Sequence, residues 1–384
     1  MSTAIIGYGH TAFSREPGPT TVALATQAVE RAIEDAGLSA RDIDGVILGQ
    51  SETLSRAELT LAFRHTLDLG NLSHFSLTEG KGTTVLQMIQ HAALAVGAGL
   101  AKRIVCVFAD TPIKAGVTGG AAFARASNVM NIDGWEAAHG CFGAIGPYAL
   151  AASAYLHRRG ADERALGHYA IACRRWAASN PLAFFRQGLD LEGYLDARLI
   201  VEPFRILDCA LPVNGAAAFI VAQSADAATA VCHIVGMGQG HGRYSMVTGA
   251  AQGEPTGARH AADMALRMAR AEHRDVSSCQ LYDAFSFSGL AALEEFGFCA
   301  PGSAPEFVGG GETGPGGALP VNTGGGHLSG FYLQGVTPLL EALIQIRGEG
   351  GARQVANDLV FVSNSGGCLE YHATLAISPH RRLG

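Results

Sequence analysis

The same order of strands and helices occurs twice along this chain, and this duplication constrains the fold more than any other feature. Each half runs strand, helix, apolar segment, glycine-led helix, apolar strand. In the first half these segments are 3–7, a helix opening at Pro19-Thr20-Thr21, 44–48, 83–97 and 104–108. In the second half they are 232–238, 258–271, SSCQLYDAF (277–285), 332–347 after the glycine-rich loop 323–330, and 358–364. The alternation favours an α/β fold built by internal duplication.

The length of the chain predicts two domains, because 384 residues are too many for one ordinary core. We place the N-terminal half at 1–225 and the C-terminal half at 226–384. Between about 111 and 205 the chain departs from the repeat, with a small-residue loop followed by two helical segments. We interpret this stretch as an insertion that caps a site.

Composition excludes several classes of protein. The net charge is −7 and the basic residues form no stripe, so nucleic-acid binding has little support. The start of the chain does not resemble a secretory signal, and no apolar run approaches the ~20 residues of a membrane span. Eight cysteines are scattered without a C-x-x-C pair, which predicts reduced thiols that mostly fill the core of a cytoplasmic protein, and no zinc site.

Motifs spread over nearly the whole chain resemble the thiolase superfamily, and more narrowly its sterol-carrier-protein-type and lipid-transfer-protein branch. They are GADERALGHYAIACRRWAASNP (160–181), EPFRILDCALPVNGAAAFIVA (202–222), LYDAFSFSGLAALEEFGFC (281–299) and VNTGGGHLSGF (321–331). The third is similar to the family's H-D-x-F segment, and the fourth to its V-N-x-x-G-G loop.

This resemblance implies a thiolase fold, in which two similar βαβαβαββ halves pack as five layers. It further implies a homodimer and a CoA thioester held at the junction of the halves, as substrate, without an organic cofactor or a metal. Aldolase-type members of the branch often require a small partner with an OB fold and a zinc ribbon, so we expect such a partner here.

The chain departs from the family pattern where the chemistry is done. Gly82, in EGKGTTVLQ, stands at the position of the nucleophilic cysteine, and Tyr332 replaces the histidine of the G-H-P motif. Tyr282 replaces the His or Asn of the H-D/N-E segment, and the second-cysteine turn C-x-G-G becomes Asn364-Ser365-Gly366-Gly367. Thiolysis needs a thiolate to carry the acyl group, and glycine supplies none. A covalent acyl-enzyme is therefore disfavoured, unless Cys368 or Cys141 reaches the site.

We predict that Tyr332 is the catalytic residue, with Tyr282 as its partner, whereas His327 supports them and Asp283 orients its own loop. Against this stands the ordinary role of tyrosine, a packed ring with its hydroxyl bound to a carbonyl. We expect backbone N–H groups of glycine-rich turns to bind the thioester oxygen. The residues expected to contact the CoA thioester are Gly82, Thr83, Gly325, Gly326, Gly366, Gly367, His241 and Tyr244.

Three functions fit these residues. The first is an aldolase that cleaves a β-hydroxyacyl-CoA from a steroid or lipid side chain, which needs proton transfer and no nucleophile. The second is an acyltransferase that uses a displaced cysteine. The third is a non-catalytic subunit that binds an acyl-CoA or a lipid.

Overall fold

The computed structural model describes residues 3–51, 53, 63, 66–116, 138–140, 143–226, 232–242 and 256–381. The strands are β1 (Thr3–His10), β2 (Gly45–Gly49), β3 (His74–Thr78), β4 (Arg103–Asp110), β5 (Leu199–Val201), β6 (Phe204–Arg205), β7 (Gly215–Gln223), β8 (Cys232–His241), β9 (Ser278–Gln280), β10 (Val360–Gly366) and β11 (Tyr371–Ser378). The helices are α1 (Thr21–Asp35), α2 (Thr84–Gly97), α3 (Ile145–Arg159), α4 (Glu163–Ala177), α5 (Leu191–Leu195), α6 (Ala258–Ala269), α7 (Ser286–Phe296), α8 (Ala304–Gly309) and α9 (Val336–Ile346). None of the helices in these ranges has the length and apolarity to cross a bilayer.

Both halves of the chain build the same sheet. The strand order is β3-β2-β4-β7-β1-β8-β11-β10-β9, and the antiparallel pair β1–β8 joins the halves. In the first half β2 runs parallel to β3 and β4, whereas β7 is antiparallel to β4 and β1. The second half repeats this order, with β9 parallel to β10 and β11 antiparallel to β10 and β8. The counterpart of β3 is reduced to a parallel bridge between Cys279 and Val321. The predicted duplication is confirmed.

Three separate cores lie between five layers. On β1, Ala4 and Ile6 pack with α1, whereas Ile5 between them packs with α2 and α9. Neighbouring side chains of a strand point to opposite faces, so this alternation places α2 and α9 between the two parts of the sheet. A third core holds α6 and α7 on the outer face of the second half. The layers are therefore α1, the strands of the first half, α2 with α9, the strands of the second half, and α6 with α7.

The described part of the insertion packs against the C-terminal half. Side chains of α3 and α4 share one core with α7, and Gly289 of α7 lies directly against the ring of Tyr169. Arg174 of α4 is buried, and its Nε donates to Ser329 Oγ at 3.0 Å in the π-helical turn Gly326–Gly330. The insertion therefore fixes the glycine-rich loop from outside.

The helix expected over 332–347 begins later, at Val336. Tyr332 instead lies in an extended stretch, where its N–H donates to Leu211 O at 2.7 Å and its carbonyl accepts from Val213 N at 3.3 Å. Gln334 then takes a positive φ of 45°, which a continuous helix does not allow. The backbone pairing with residues 211–213 overrides the local helical pattern, so the placement of Tyr332 on a helix was wrong.

Candidate active site

Two phenols meet in the interior of the protein. The hydroxyls of Tyr282 and Tyr332 are 2.9 Å apart, a hydrogen-bonding distance. Tyr282 follows the end of β9 and is buried, whereas Tyr332 is half-buried in its extended stretch. The two residues expected to act together are therefore in direct contact, although 50 positions separate them in the chain.

The space beside Gly82 is filled by Tyr282. A Cβ on Gly82 would lie 2.0 Å from Ser365 O and 2.8 Å from the Tyr282 hydroxyl oxygen. Both distances are far below van der Waals contact, so no larger side chain, cysteine included, fits here without displacing a neighbour. The phenol of Tyr282 thus lies where a side chain of residue 82 would begin.

His327 packs against both phenol rings and is held by backbone. Its ring centroid lies 4.7 Å from that of Tyr282 and 4.9 Å from that of Tyr332, edge to face in both cases. Nε2 lies 2.9 Å from Gln334 O, and because a carbonyl only accepts, Nε2 carries the proton. This geometry suits a residue that fixes ring orientation, the supporting role expected for it.

Asp283 binds the backbone of the glycine-rich turn. It is fully buried, and its Oδ1 accepts from the backbone N–H of His327 at 2.8 Å. Nδ1 of the same histidine lies 3.2 Å from Oδ1, but it does not form a hydrogen bond of good geometry. A Cβ on Gly326, whose φ is 58°, would come within 2.2 Å of Oδ2. The carboxylate therefore orients the glycine-rich turn rather than its own loop, and it requires glycine at position 326.

The glycine-rich turns before α2 and after β10 meet at Gly82, beside the Tyr282 hydroxyl. A Cβ on Gly366 would lie 3.1 Å from both Gly80 O and Gly82 N, so the turns before α2 and after β10 are in contact. Thr83 Oγ1 donates to Gly80 O at 2.6 Å and closes the first turn, which leaves its hydroxyl engaged within the loop. Gly367 O accepts from the Tyr148 hydroxyl at 2.7 Å.

Tyr148, on α3 of the insertion, is a third phenol that the sequence analysis missed. It is buried against Phe285, with ring centroids 4.7 Å apart. Burial raises its pKa well above the usual value, so the hydroxyl keeps its proton. No motif in the insertion marked this residue, because its position depends on how α3 packs.

Burial also dominates the electrostatics of Tyr282. Its pKa lies well above the ordinary tyrosine value, first because burial penalises the phenolate and then because Tyr332 lies beside it. The Tyr282 hydroxyl therefore keeps its proton at neutral pH, so it is able to donate a hydrogen bond.

The cysteines that the structure describes form no disulfide, and Cys141 lies outside the described residues. Burial raises the pKa of Cys209 to about 12 and that of Cys173 well above its usual value, so neither is a ready thiolate. Cys368 is buried in the turn after β10, in the core of the C-terminal half.

His241 lies at the exposed end of β8, where it pairs with Tyr371, the partner of Gly366. Its Nε2 is 3.1 Å from Gln239 Oε1, and its ring centroid is 5.7 Å from that of Tyr371. Lys81 Nζ lies 5.8 Å from the centroid of the same tyrosine ring. His241, Tyr371 and Lys81 thus form one exposed group beside the turns of Gly82 and Gly366. Tyr244, the other expected pocket residue, lies outside the described residues.

Known proteins match this chain over most of its length. A family model described as "Thiolase C-terminal domain-like" matches residues 236–378. The 17-hydroxy-3-oxo-4-pregnene-20-carboxyl-CoA lyase of Mycobacterium tuberculosis is 32% identical over 362 residues, which cover 90% of this chain and 91% of the relative. The chain belongs to the thiolase superfamily. The resemblance to its sterol-carrier-protein-type branch is confirmed, and so is the thiolase fold.

Two further matches place this thiolase-superfamily chain beside aldolases. The steroid side-chain-cleaving aldolase of Thermomonospora curvata is 34% identical over 362 residues, 90% of each chain. The solved structure of an Ltp2-ChsH2(DUF35) aldolase is similar with a TM-score of 0.88 and 31% identity, over 100% of this chain and 99% of that one.

Proposed function

We propose that this protein is a CoA-thioester aldolase that cleaves a β-hydroxyacyl-CoA into a ketone and a shorter acyl-CoA. The observation that carries the proposal is the hydrogen-bonded pair Tyr282–Tyr332 beside a glycine that leaves no room for a nucleophile. The names of the relatives support the substrate class. In the compound after which the mycobacterial relative is named, the hydroxyl on carbon 17 is β to the thioester carried on carbon 20.

The reaction we propose needs only proton transfer. Tyr332, as phenolate, takes the proton of the β-hydroxyl, and the hydrogen bond from Tyr282 stabilises that phenolate. The electron pair of the O–H bond forms the ketone, the Cα–Cβ bond breaks, and its electrons enter the thioester as an enolate. An acid then protonates Cα, so the products together have the composition of the substrate. No organic cofactor takes part in these steps.

Replacing Tyr332 with phenylalanine tests the proposal. We expect Tyr332→Phe to lose cleavage by about 10²–10⁴-fold, the usual contribution of an acid–base group, while it still binds propionyl-CoA. Tyr8→Phe, which removes a hydroxyl bonded to Glu349, is the matched control and should keep its activity. Product formation from a β-hydroxyacyl-CoA would be followed by mass spectrometry. Full activity of Tyr332→Phe would refute the assignment.

The acyltransferase alternative makes the opposite prediction for a cysteine. If Cys368 carried an acyl group, Cys368→Ala would abolish turnover and a covalent adduct would appear on this thiol. We expect Cys368→Ala to retain cleavage. Measurable binding of CoA esters without turnover of any, in the presence of every required partner, would instead favour the non-catalytic binding subunit.

We also propose that the chain works with a small second protein that carries an OB fold and a zinc ribbon. The Ltp2-ChsH2(DUF35) aldolase supports this, because its name pairs a chain similar to ours with a DUF35 protein. Cleavage should rise on co-expression with such a protein. The homodimer and the cytoplasmic location stay predictions, and sedimentation of the purified chain would test the first.

A further inference from the structure

Asn364 is a buried amide with unused hydrogen-bonding capacity. Its side chain is 0% exposed, and neither Oδ1 nor Nδ2 has a partner among the residues that the structure describes. A buried polar group without a partner is costly, and native proteins keep few of them. An amide in this state indicates a site that a ligand or an ordered water completes.

Asn364 lies close to Tyr282 at the end of β10. Val362 of β10 pairs with Gln280, the last residue of the parallel strand β9, and Asn364 and Tyr282 each follow two residues later. The next residue of β10, Ser365, points its carbonyl at Gly82. Asn364 therefore lies at the same end of the sheet as the two phenols.

The amide also lies against the start of a helix. A Cβ on Gly335 would be 1.7 Å from Asn364 Nδ2, so the amide touches the residue that precedes α9. Gly335 gives no side-chain cap to this 11-residue helix. The N-terminal N–H groups of a helix carry partial positive charge and attract anionic oxygens. The unpaired Nδ2 thus lies beside a helix start, whose partial positive charge favours an anionic oxygen nearby.

We propose that Asn364 Nδ2 donates a hydrogen bond to the thioester oxygen of the substrate. This oxygen becomes the enolate oxygen when the Cα–Cβ bond breaks, so the bond strengthens as charge develops and lowers the barrier. The inference rests on the proposed function, since it names the group that receives the electrons released by the phenol pair. Asn364 is a substrate-contacting residue in this scheme, and Tyr332 moves the proton.

Asn364→Leu tests the proposal with a side chain of similar shape and no polar atoms. The dissociation constants of propionyl-CoA and of S-propyl-CoA, its analogue without the carbonyl oxygen, would be measured by calorimetry on the whole 384-residue chain. We expect the wild type to prefer the thioester by about tenfold, the usual size of one good hydrogen bond, and Asn364→Leu to lose that preference. Exchange of the α-protons of propionyl-CoA in deuterium oxide should slow by about 10²-fold in the variant.

Ser363→Ala is the matched control. Ser363 is the preceding residue of β10, on the opposite face, and its buried Oγ also lacks a partner among the described residues. It should change neither the thioester preference nor the exchange rate. The thermal stability of Asn364→Leu should equal or exceed that of the wild type, because an unpaired amide is removed.

The outcomes separate this inference from the proposed function. If Asn364→Leu keeps the thioester preference and the exchange rate while Tyr332→Phe is inactive, the role of Asn364 is wrong and the aldolase survives. If Tyr332→Phe cleaves normally but Asn364→Leu loses the preference, the phenol mechanism fails and Asn364 remains an oxygen-binding residue. A loss of stability in Asn364→Leu, with an unchanged thioester preference, would assign Asn364 a structural role and overturn the inference.

Discussion

At the scale of single residues, the missing side chain of Gly82 decides which chemistry is possible. Its neighbours, the carbonyl of Ser365 and the hydroxyl of Tyr282, stand where a Cβ and a thiol would have to go. A cysteine at position 82 and the phenol of Tyr282 would compete for one volume. The two side chains therefore exclude each other in this arrangement.

Gly82→Cys should therefore fail to restore thiolase activity. The new side chain overlaps a backbone carbonyl that cannot rotate away, so we expect lost cleavage and a destabilisation of about 1–3 kcal/mol, as for other overpacked cores. Gly97→Cys, at the far end of α2 where a Cβ meets nothing within 4 Å, is the control. Urea unfolding and the cleavage assay would measure both. A Gly82→Cys protein that is stable and forms an acyl adduct would contradict this packing argument.

At the scale of elements, the turn between β10 and β11 supports the site through one histidine. His372 is buried, with Nε2 3.0 Å from Leu369 O and Nδ1 3.2 Å from Ser365 Oγ. These contacts fix the turn in which Gly366 packs against Gly82. Burial lowers the pKa of His372 from 6.5 to about 4, so the ring is neutral in the folded protein.

The stability of the protein should consequently fall on acidification between pH 6.5 and 4. The folded pKa lies below the unfolded value, so over this interval the unfolded chain binds more protons and unfolding is favoured as the pH drops. The loss attributable to His372 is about 3 kcal/mol, from 1.36 kcal/mol per unit. His372→Gln should reduce the fall in the free energy of unfolding between pH 6.5 and 4. His260→Gln, which changes an exposed histidine, should leave that fall unchanged. Identical pH profiles for His372→Gln and wild type would rule out His372 as the cause.

At the scale of the whole molecule, a buried ion pair ties the central layer to the glycine-rich loop. Arg353 Nε lies 3.0 Å from Glu341 Oε1 on α9, and both side chains are less than a tenth exposed. The same oxygen accepts from Thr323 Oγ1 at 2.8 Å and from Gln345 Nε2 at 3.0 Å. The carboxylate thus links a central helix of the five-layer structure to the loop that carries His327.

Arg353→Met should destabilise the entire fold by about 3–5 kcal/mol, because it leaves the Glu341 carboxylate buried without its cation. The exposed pair Arg41–Asp68, whose side chains are 81% and 85% exposed, provides the comparison. Arg41→Met should cost less than about 1 kcal/mol. Chemical denaturation measures both changes. Equal effects would mean that the buried pair contributes no more than a surface contact.

Periodicity along the chain determined β1, β2, β4, β8, β10, most helices and the duplication, because those signals come from neighbouring residues. The motifs that resemble the thiolase superfamily supplied Tyr282 and Tyr332 as candidates. Only the tertiary structure decided that the two hydroxyls touch, that Tyr282 fills the space beside Gly82, and that the Tyr148 hydroxyl donates to Gly367 O in the adjoining turn. It also showed that Tyr332 precedes the helix and that Asn364 is a buried amide without a partner among the described residues. Each of these depends on contacts between distant segments, such as Gly82 with Ser365, and the backbone pairing of such segments overrides what a local pattern favours.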